Sequence, residues 1–380
     1  MQLLFTIIII IAALYGLLML WYRYGWRHLV SFSAPARISG KTRVSVIIPA
    51  RNEEKHILSC LEAVTSQAYP AALLEIIVVN DHSTDRTAEL VRNFTGGSVR
   101  LINLADHLDR DAPLNSYKKK AIETAVRLST GELIITTDAD CVMNQHWVET
   151  IVSYYEHHGS KFIAAPVSFY KENCFFKVFQ SLDFLSMQGI TGATAHLRCG
   201  TMCNGANLAY EKQAFLDVGA FQGIDCIASG DDMLLMYKMY KAYPEGIGFV
   251  KHPHAIVRTL PAEDVSSFMN QRIRWASKAD KYEDKRLTAV LAFVYLWNVG
   301  IFALFIAGFF RIHLWVWCIG LIVFKTLVEL FFLWPVARFF QKTRLLWQFF
   351  PAQFLHIPYI IAAGWLGKFG SYDWKSRKVR

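Results

Sequence analysis

The chain has 380 residues, of which 53% are hydrophobic, and carries a net charge of +9 at neutral pH. A mean hydropathy of +0.25 is high for a wholly soluble protein and places part of the chain in lipid. An excess of Lys and Arg fits nucleic acid, an anionic membrane surface or a phosphorylated ligand; because the basic residues cluster beside apolar segments, nucleic acid is disfavoured.

Residues 3–22 form an almost wholly apolar stretch, about long enough to span a bilayer. No Lys or Arg precedes it, which argues against a secretory signal. Arg23, Arg27, Arg37, Lys41 and Arg43 follow it, so the positive-inside rule puts the N-terminus outside and the next domain in the cytoplasm. The expected location is therefore integral to the plasma or inner membrane. Residues 43–49 (RVSVIIP) and 75–80 (EIIVVN) are short β-branched runs typical of buried parallel strands. Helical patterns follow at 53–66 and 84–94. A strand is expected at 98–104, a helix at 117–128 and a strand at 132–137 (ELIITT). This alternation means an α/β domain with a mostly parallel sheet, whose ligands bind beyond the carboxyl ends of the strands.

Three further apolar stretches occupy roughly 287–310, 314–337 and 345–366. Lys278, Lys281, Lys285 and Arg286 precede the first. Arg338, Lys342 and Arg344 lie between the second and third, and Lys368, Lys375, Arg377, Lys378 and Arg380 close the chain. All three clusters should be cytoplasmic, whereas three full crossings put the tail outside. The last stretch carries Pro351, Pro358, Gln348, Gln353 and His356, so a re-entrant or interfacial segment is expected there. The expected division is a membrane anchor at 1–22, a catalytic domain at 41–285, a membrane region at 286–367 and a basic tail at 368–380.

Polar clusters stand at the expected strand ends. Asp138 and Asp140 follow the fourth strand, where two carboxylates suit a hard divalent cation. Asp81 ends the second strand and is placed for a ligand, while Ser83, Thr84 and Asp85 read as helix caps. Asp231 and Asp232 open a helix at 233–241, where a carboxylate serves either the helix dipole or an acceptor hydroxyl as general base. Gln271, Arg274 and Trp275 share one face of a helix. Arg grips phosphate and Trp offers a surface for a sugar ring, or the segment anchors the domain to lipid. Lys118, Lys119 and Lys120 are a solvated charged face unless one of them meets phosphate. Cys203, Asn204, Gly205, Ala206 and Asn207 form a polar break suited to a substrate loop. His252 and His254 read as loop residues. Seven scattered cysteines argue against a disulfide framework.

The ordered set V-S-V-I-I-P-A-R-N-E-E, V-V-N-D-H-S-T-D, K-K-K-A, T-D-A-D, C-N-G-A-N, G-D-D and Q-R-I-R-W resembles family 2 glycosyltransferases of the GT-A fold. It is most similar to their membrane-bound branch of cellulose, hyaluronan and poly-N-acetylglucosamine synthases. The resemblance covers about residues 43–280 and implies roles by position. Ala50, Asn52, Glu53 and Asp81 match the nucleoside-binding edge, and Lys118 a lysine near the diphosphate. Asp138 and Asp140 match the D-x-D, with Asp140 the metal contact to Mg²⁺ or Mn²⁺. Asp232 matches the general base, beside Asp231 where Glu is more usual. Gln271 and Arg274 match residues that hold the diphosphate, and Trp275 the acceptor end. Asn204, Gly205 and Asn207 occupy the acceptor-loop region, in a form that departs from the best-known synthases.

The implied reaction is a single, inverting displacement from a nucleotide-diphosphate sugar, a UDP-sugar first of all. The acceptor is a growing polysaccharide, or a membrane lipid or lipid-linked intermediate in a single addition. A polymer channel in so short a chain calls for partner subunits, self-association or a compact arrangement. The rival of another class is a non-catalytic, donor-binding membrane subunit.

Overall fold

The computed structural model describes residues 2–33, 41–108, 115–199, 202–227 and 229–370, with the backbone at 372–374 and 377–379. Of the basic clusters, Arg37 and the side chains of Lys375, Arg377, Lys378 and Arg380 lie outside the described residues. In chain order the elements begin with helix α1 (Gln2–His28), strand β1 (Val44–Ala50), α2 (Ile57–Thr65), β2 (Leu74–Asn80), α3 (Thr87–Arg92), β3 (Val99–Asn103), α4 (Tyr117–Leu128) and β4 (Leu133–Thr136). They continue with β5 (Val142–Met143), α5 (Trp147–His158), β6 (Phe162–Ala164), β7 (Val167–Phe169), α6 (Phe175–His196), β8 (Leu208–Glu211) and α7 (Lys212–Asp217). The chain then forms α8 (Met233–Ala242), β9 (Ile247–Phe249), β10 (Val257–Thr259), α9 (Val265–Ala276), α10 (Lys285–Gly308), α11 (Leu314–Phe339) and α12 (Phe349–Phe369).

These elements gather into two units. The first comprises Val30–Tyr170 and Thr201–Leu260, the second Met1–Leu29, Lys171–Gly200 and Pro261–Arg380. The division does not follow the linear one expected at 41 and 285. Residues 171–200 and 261–285, expected inside the catalytic domain, cluster with the long apolar helices instead.

In the first unit Val46, Ile47 and Ile48 are wholly buried. β1 is therefore covered on both faces, as an uninterrupted β-branched run demands. It is the hub of a seven-stranded sheet in the order β3-β2-β1-β4-β8-β6-β9. β3, β2, β1 and β4 run parallel, and β8 runs antiparallel to β4 and β6. The register pairs Ala50 with Asn80 and Ile47 with Thr136, so three strands release their chains at one sheet edge. The sheet bears out the α/β expectation with small shifts of boundary. Its strands β8, β6 and β9, and a smaller sheet β5-β10-β7, were not legible in the sequence.

The second unit contains four helices long and apolar enough to cross a membrane: Phe5–His28, Lys285–Gly308, Leu314–Phe339 and Thr343–Phe369. Two shorter-ranged partners, α6 and α9, pack with them; α1 lies on α6, and α9 on α12. The last apolar stretch, where a re-entrant or interfacial segment is expected, is one continuous helix through Pro358. Ionisable residues are costly in such a setting unless partnered. Lys325 is completely buried and pairs with Glu329 one turn on at 2.8 Å. Its Nζ also donates to Gln353 Oε1 at 2.6 Å, and Tyr15 bonds Glu329.

Candidate active site

The loops after β1 and β2 are laced together. The Asp81 N–H donates to the Ala50 carbonyl at 2.8 Å. The Asn52 N–H donates to Ser83 Oγ at 3.1 Å, and Asn52 Oδ1 accepts from the Thr84 N–H at 2.8 Å. The Glu53 N–H meets Thr87 Oγ1 at 2.7 Å, and the Glu54 N–H meets Asp85 Oδ2 at 3.0 Å. Asn52 holds φ +52, a left-handed conformation that Asn tolerates better than most side chains. Asp81 is only 3% exposed, with Oδ1 3.0 Å from His82 Nδ1. Arg51, which the sequence did not single out, donates to the Asp81 carbonyl at 3.0 Å. One cap reading is corrected. Helix α3 begins at Thr87, so Ser83 and Thr84 bind the neighbouring loop and do not cap it, whereas Asp85 Oδ1 accepts the Thr87 N–H at 3.0 Å.

Beyond β4 the chemistry converges on Lys118, in the first turn of α4. Its Nζ lies 2.8 Å from Asp138 Oδ1 and 3.1 Å from Asp231 Oδ2. Burial, the largest influence, disfavours the ammonium charge. The carboxylates of Asp138, Asp231 and Asp232 together outweigh it and hold the group well above the ordinary lysine range. Asp232 is the N-cap of α8. Its Oδ1 accepts the Met233 N–H at 2.7 Å and its Oδ2 the Gly205 N–H at 3.2 Å. The helix-start reading is thus correct, and the same two bonds fix the carboxylate's direction. Gly230 at φ +80 supplies the left-handed turn that delivers Asp231 and Asp232. A Cβ at Gly205 would stand 3.2 Å from Asp231 Oδ2 and 3.3 Å from Lys118 Nζ, so glycine lets the loop approach the ion pair.

Asp140 Oδ2 accepts from Thr259 Oγ1 at 3.1 Å, which the small sheet places through β10. Its Oδ1 is 3.6 Å from Cys141 Sγ. Burial, with Asp140 and Asp138 nearby, pushes the Cys141 and Cys60 thiols up, so both stay protonated. The donor chemistry at 138 and 140 suits a hard divalent cation. Among the described residues no group of three His, Cys, Asp or Glu side chains gathers into an all-protein metal site.

Two expectations change. Asn207 is wholly buried: Nδ2 donates to the Pro166 and Ala255 carbonyls at 2.8 Å, and Oδ1 accepts from Trp147 Nε1 at 3.0 Å. It therefore braces strand β8 and cannot meet an acceptor; Asn204 Oδ1 accepts the Ala206 N–H at 2.9 Å within the loop. Asn207→Ala will lower stability by about 2–4 kcal/mol through unpaired buried groups, read as a lower thermal midpoint with unchanged donor affinity. Lys119 is the second case. It is not on a solvated face but 1% exposed, and its Nζ donates to the Ile224 and Ile227 carbonyls at 2.6 Å. These carbonyls belong to the loop that leads to Asp231. Lys119→Met will destabilise by about 2–4 kcal/mol, against under about 0.5 for the partly exposed Lys120→Met, measured by thermal unfolding in detergent. Only burial distinguishes 119 from 118 and 120, and a run of three lysines hides it.

Gln271, Arg274 and Trp275 lie on α9, in the other unit. There Gln271 Oε1 accepts from Arg272 at 2.8 Å, and the Arg272 guanidinium lies 4.3 Å from the Trp275 ring centroid.

The mostly parallel sheet, with acids placed just beyond the ends of its strands, is a GT-A-type α/β fold. The family model of glycosyl transferase family 2 matches residues 45–215, and that of glycosyl transferase family group 2 matches 133–334, more than half of the chain. The chain belongs to the family 2 glycosyltransferases. It is 38% identical over 126 residues to glycosyltransferase AglE of Haloferax volcanii, covering 33% of this chain and 40% of that one. Over 237 residues it is 24% identical to the poly-beta-1,6-N-acetyl-D-glucosamine synthase of Staphylococcus epidermidis, covering 61% and 53%. The matched stretches thus span about half or less of these relatives' lengths. The solved mannosyltransferase of Pyrobaculum calidifontis, in complex with GDP-Man and Mn²⁺, shares the fold with a TM-score of 0.60 at 19% identity, covering 95% of this chain and 98% of that one.

Proposed function

We infer that the protein is a membrane-bound, metal-dependent, inverting transferase. It moves a sugar from a nucleotide-diphosphate sugar, a UDP-sugar in the first instance, to a growing polysaccharide. The observation that carries this reading is the Lys118 bridge between Asp138 and Asp231, which joins the D-x-D to the helix start bearing Asp232. The polysaccharide synthase named among the relatives supports the acceptor class, and the GDP-Man and Mn²⁺ bound by the Pyrobaculum enzyme support the donor and metal classes. Basic clusters beside the apolar helices support a cytoplasmic catalytic domain with the N-terminus outside.

In this reading Asp232 accepts the proton of the acceptor hydroxyl as that oxygen bonds the anomeric carbon. The bond from that carbon to the diphosphate oxygen breaks, and the leaving nucleoside diphosphate takes the electron pair. Lys118 stabilises the charge that grows there. Asp138 and Asp140, with Asp140 the direct ligand, would hold Mg²⁺ or Mn²⁺, which neutralises diphosphate charge when bound. Ala50, Asn52, Glu53 and Asp81 form the nucleoside edge. Gln271 and Arg274 serve the diphosphate, while Trp275, Asn204, Gly205 and Asp231 serve the acceptor.

The test is nucleoside-diphosphate release by the detergent-purified protein across UDP-, GDP- and dTDP-sugars, with Mg²⁺ or Mn²⁺ and membrane lipid extract. Release from one donor, with a ladder of products, is the expected result. A single product size would instead assign addition to a lipid or lipid-linked acceptor. Donor binding without release from any donor would overturn the transferase reading in favour of a binding subunit.

A further inference from the structure

The Q-x-x-R-W residues do not stand alone on α9. Arg272, directly after Gln271, is 3% exposed and touches two of the three motif side chains. Its Nη1 donates to Gln271 Oε1 at 2.8 Å, and its guanidinium lies 4.3 Å from the Trp275 ring centroid, with Phe268 at 4.7 Å. The remaining donors are committed elsewhere. Nε and Nη2 meet Asp183 Oδ2 of α6 at 3.1 and 2.8 Å. Asp183 is 7% exposed and is fixed in turn from α12: Tyr359 OH donates to Oδ1 at 2.7 Å, and His356 Nε2 lies 3.7 Å away.

A buried ion pair is weak evidence for stability, because desolvation offsets most of its attraction, and well-packed apolar residues often do as well. What it provides here is direction. The planar guanidinium is the one side-chain group that can bind a carboxylate with two donors, present a third donor to an amide and stack on an indole at once. The carboxylate locks the plane, and the plane locks Gln271 and Trp275, which are partly exposed one turn apart on α9.

We propose that Asp183 and Arg272 are positioning residues that hold Gln271 and Trp275 for donor and acceptor from beneath the motif. This rests on the family 2 transferase reading above for its consequence in turnover. Neither residue touches substrate.

The test uses the full chain in detergent or nanodiscs, with Arg272→Lys, Asp183→Asn, Gln271→Ala and the Arg272→Lys/Gln271→Ala double variant. Lysine keeps the charge pair with Asp183 and loses the fork and the stack. Arg272→Lys is expected to remain folded with a lowered thermal midpoint, while donor affinity weakens and kcat falls about 10- to 100-fold, the scale of a misplacement of about 1 Å. In the Gln271→Ala background the same change is expected to cost less than in the wild type, because one of its two contacts is already gone and only the stack on Trp275 remains to be lost. A second readout needs no turnover. In 5-fluorotryptophan-labelled protein, the fluorine signal assigned by Trp275→Phe is expected to shift in both Arg272→Lys and Asp183→Asn. Wild-type kcat in Arg272→Lys, full multiplication of its effect with Gln271→Ala, or an unmoved Trp275 signal would each overturn the proposal. Wild-type protein that releases no nucleotide from any donor removes the transferase reading instead, and the fluorine signal then decides the positioning by itself.

Discussion

Asp232→Asn will lower kcat by about 10²–10⁴-fold, the usual contribution of a positioned general base. The change keeps the side chain's shape and its helix cap. Asn caps helices as well as Asp does, so the bond to the Met233 N–H that starts α8 survives. The Gly205 N–H, 3.2 Å from Oδ2, loses its acceptor, because the amide nitrogen that replaces that oxygen is a donor. What disappears is the capacity to take a proton. Donor-binding calorimetry is expected to match the wild type and stability to fall by no more than about 1–3 kcal/mol for the one unpaired N–H, while nucleotide release collapses. Release at the wild-type rate would remove Asp232 as the base.

Asp140→Asn, and separately removal of divalent cations with EDTA, will each lower turnover by about 100-fold or more, in line with the several kcal/mol that a metal supplies at a phosphoryl oxygen. The amide oxygen keeps the Thr259 hydrogen bond of 3.1 Å, so the link between the strand end and the small sheet is retained. Only the charge is lost. Electron paramagnetic resonance of Mn²⁺ in the presence of nucleoside diphosphate gives a direct readout. Bound Mn²⁺ is expected in the wild type and at least tenfold weaker binding in the variant, one lost charge-assisted ligand being worth about 1.4 kcal/mol or more. Equal Mn²⁺ affinity in both proteins would exclude Asp140 as a ligand.

Local sequence was enough for the parts of this protein that obey local rules. The run from Val44 to Ile48 is apolar on both sides, and a strand of that pattern needs cover on both faces, so a central parallel strand follows from the residues alone. Asp138 and Asp232 stand where a strand ends and a helix begins, and those positions are set by neighbours in the chain. The four apolar helices are likewise properties of continuous segments.

Tertiary structure decided what depends on partners distant in sequence. Lys118, Lys119 and Lys120 are identical residues in a row. One bridges Asp138 and Asp231, one is sealed against the Ile224 and Ile227 carbonyls, and one is partly exposed. Helical rotation of about 100° per residue separates them, but only the arrival of residues 224–231 gives each direction its meaning. Asn207 looks like a loop amide ready for a sugar until Pro166, Ala255 and Trp147 close around it. Arg272 stands between the motif residues Gln271 and Arg274 and is oriented by Asp183, 89 residues earlier in the chain. The sequence alone determined the four parallel strands β1 to β4, the long apolar segments and the acids beyond the strand ends, because these follow from nearest neighbours. Which polar side chains face a ligand and which brace the fold was decided by burial and long-range hydrogen bonding, and these exist only once the chain has closed.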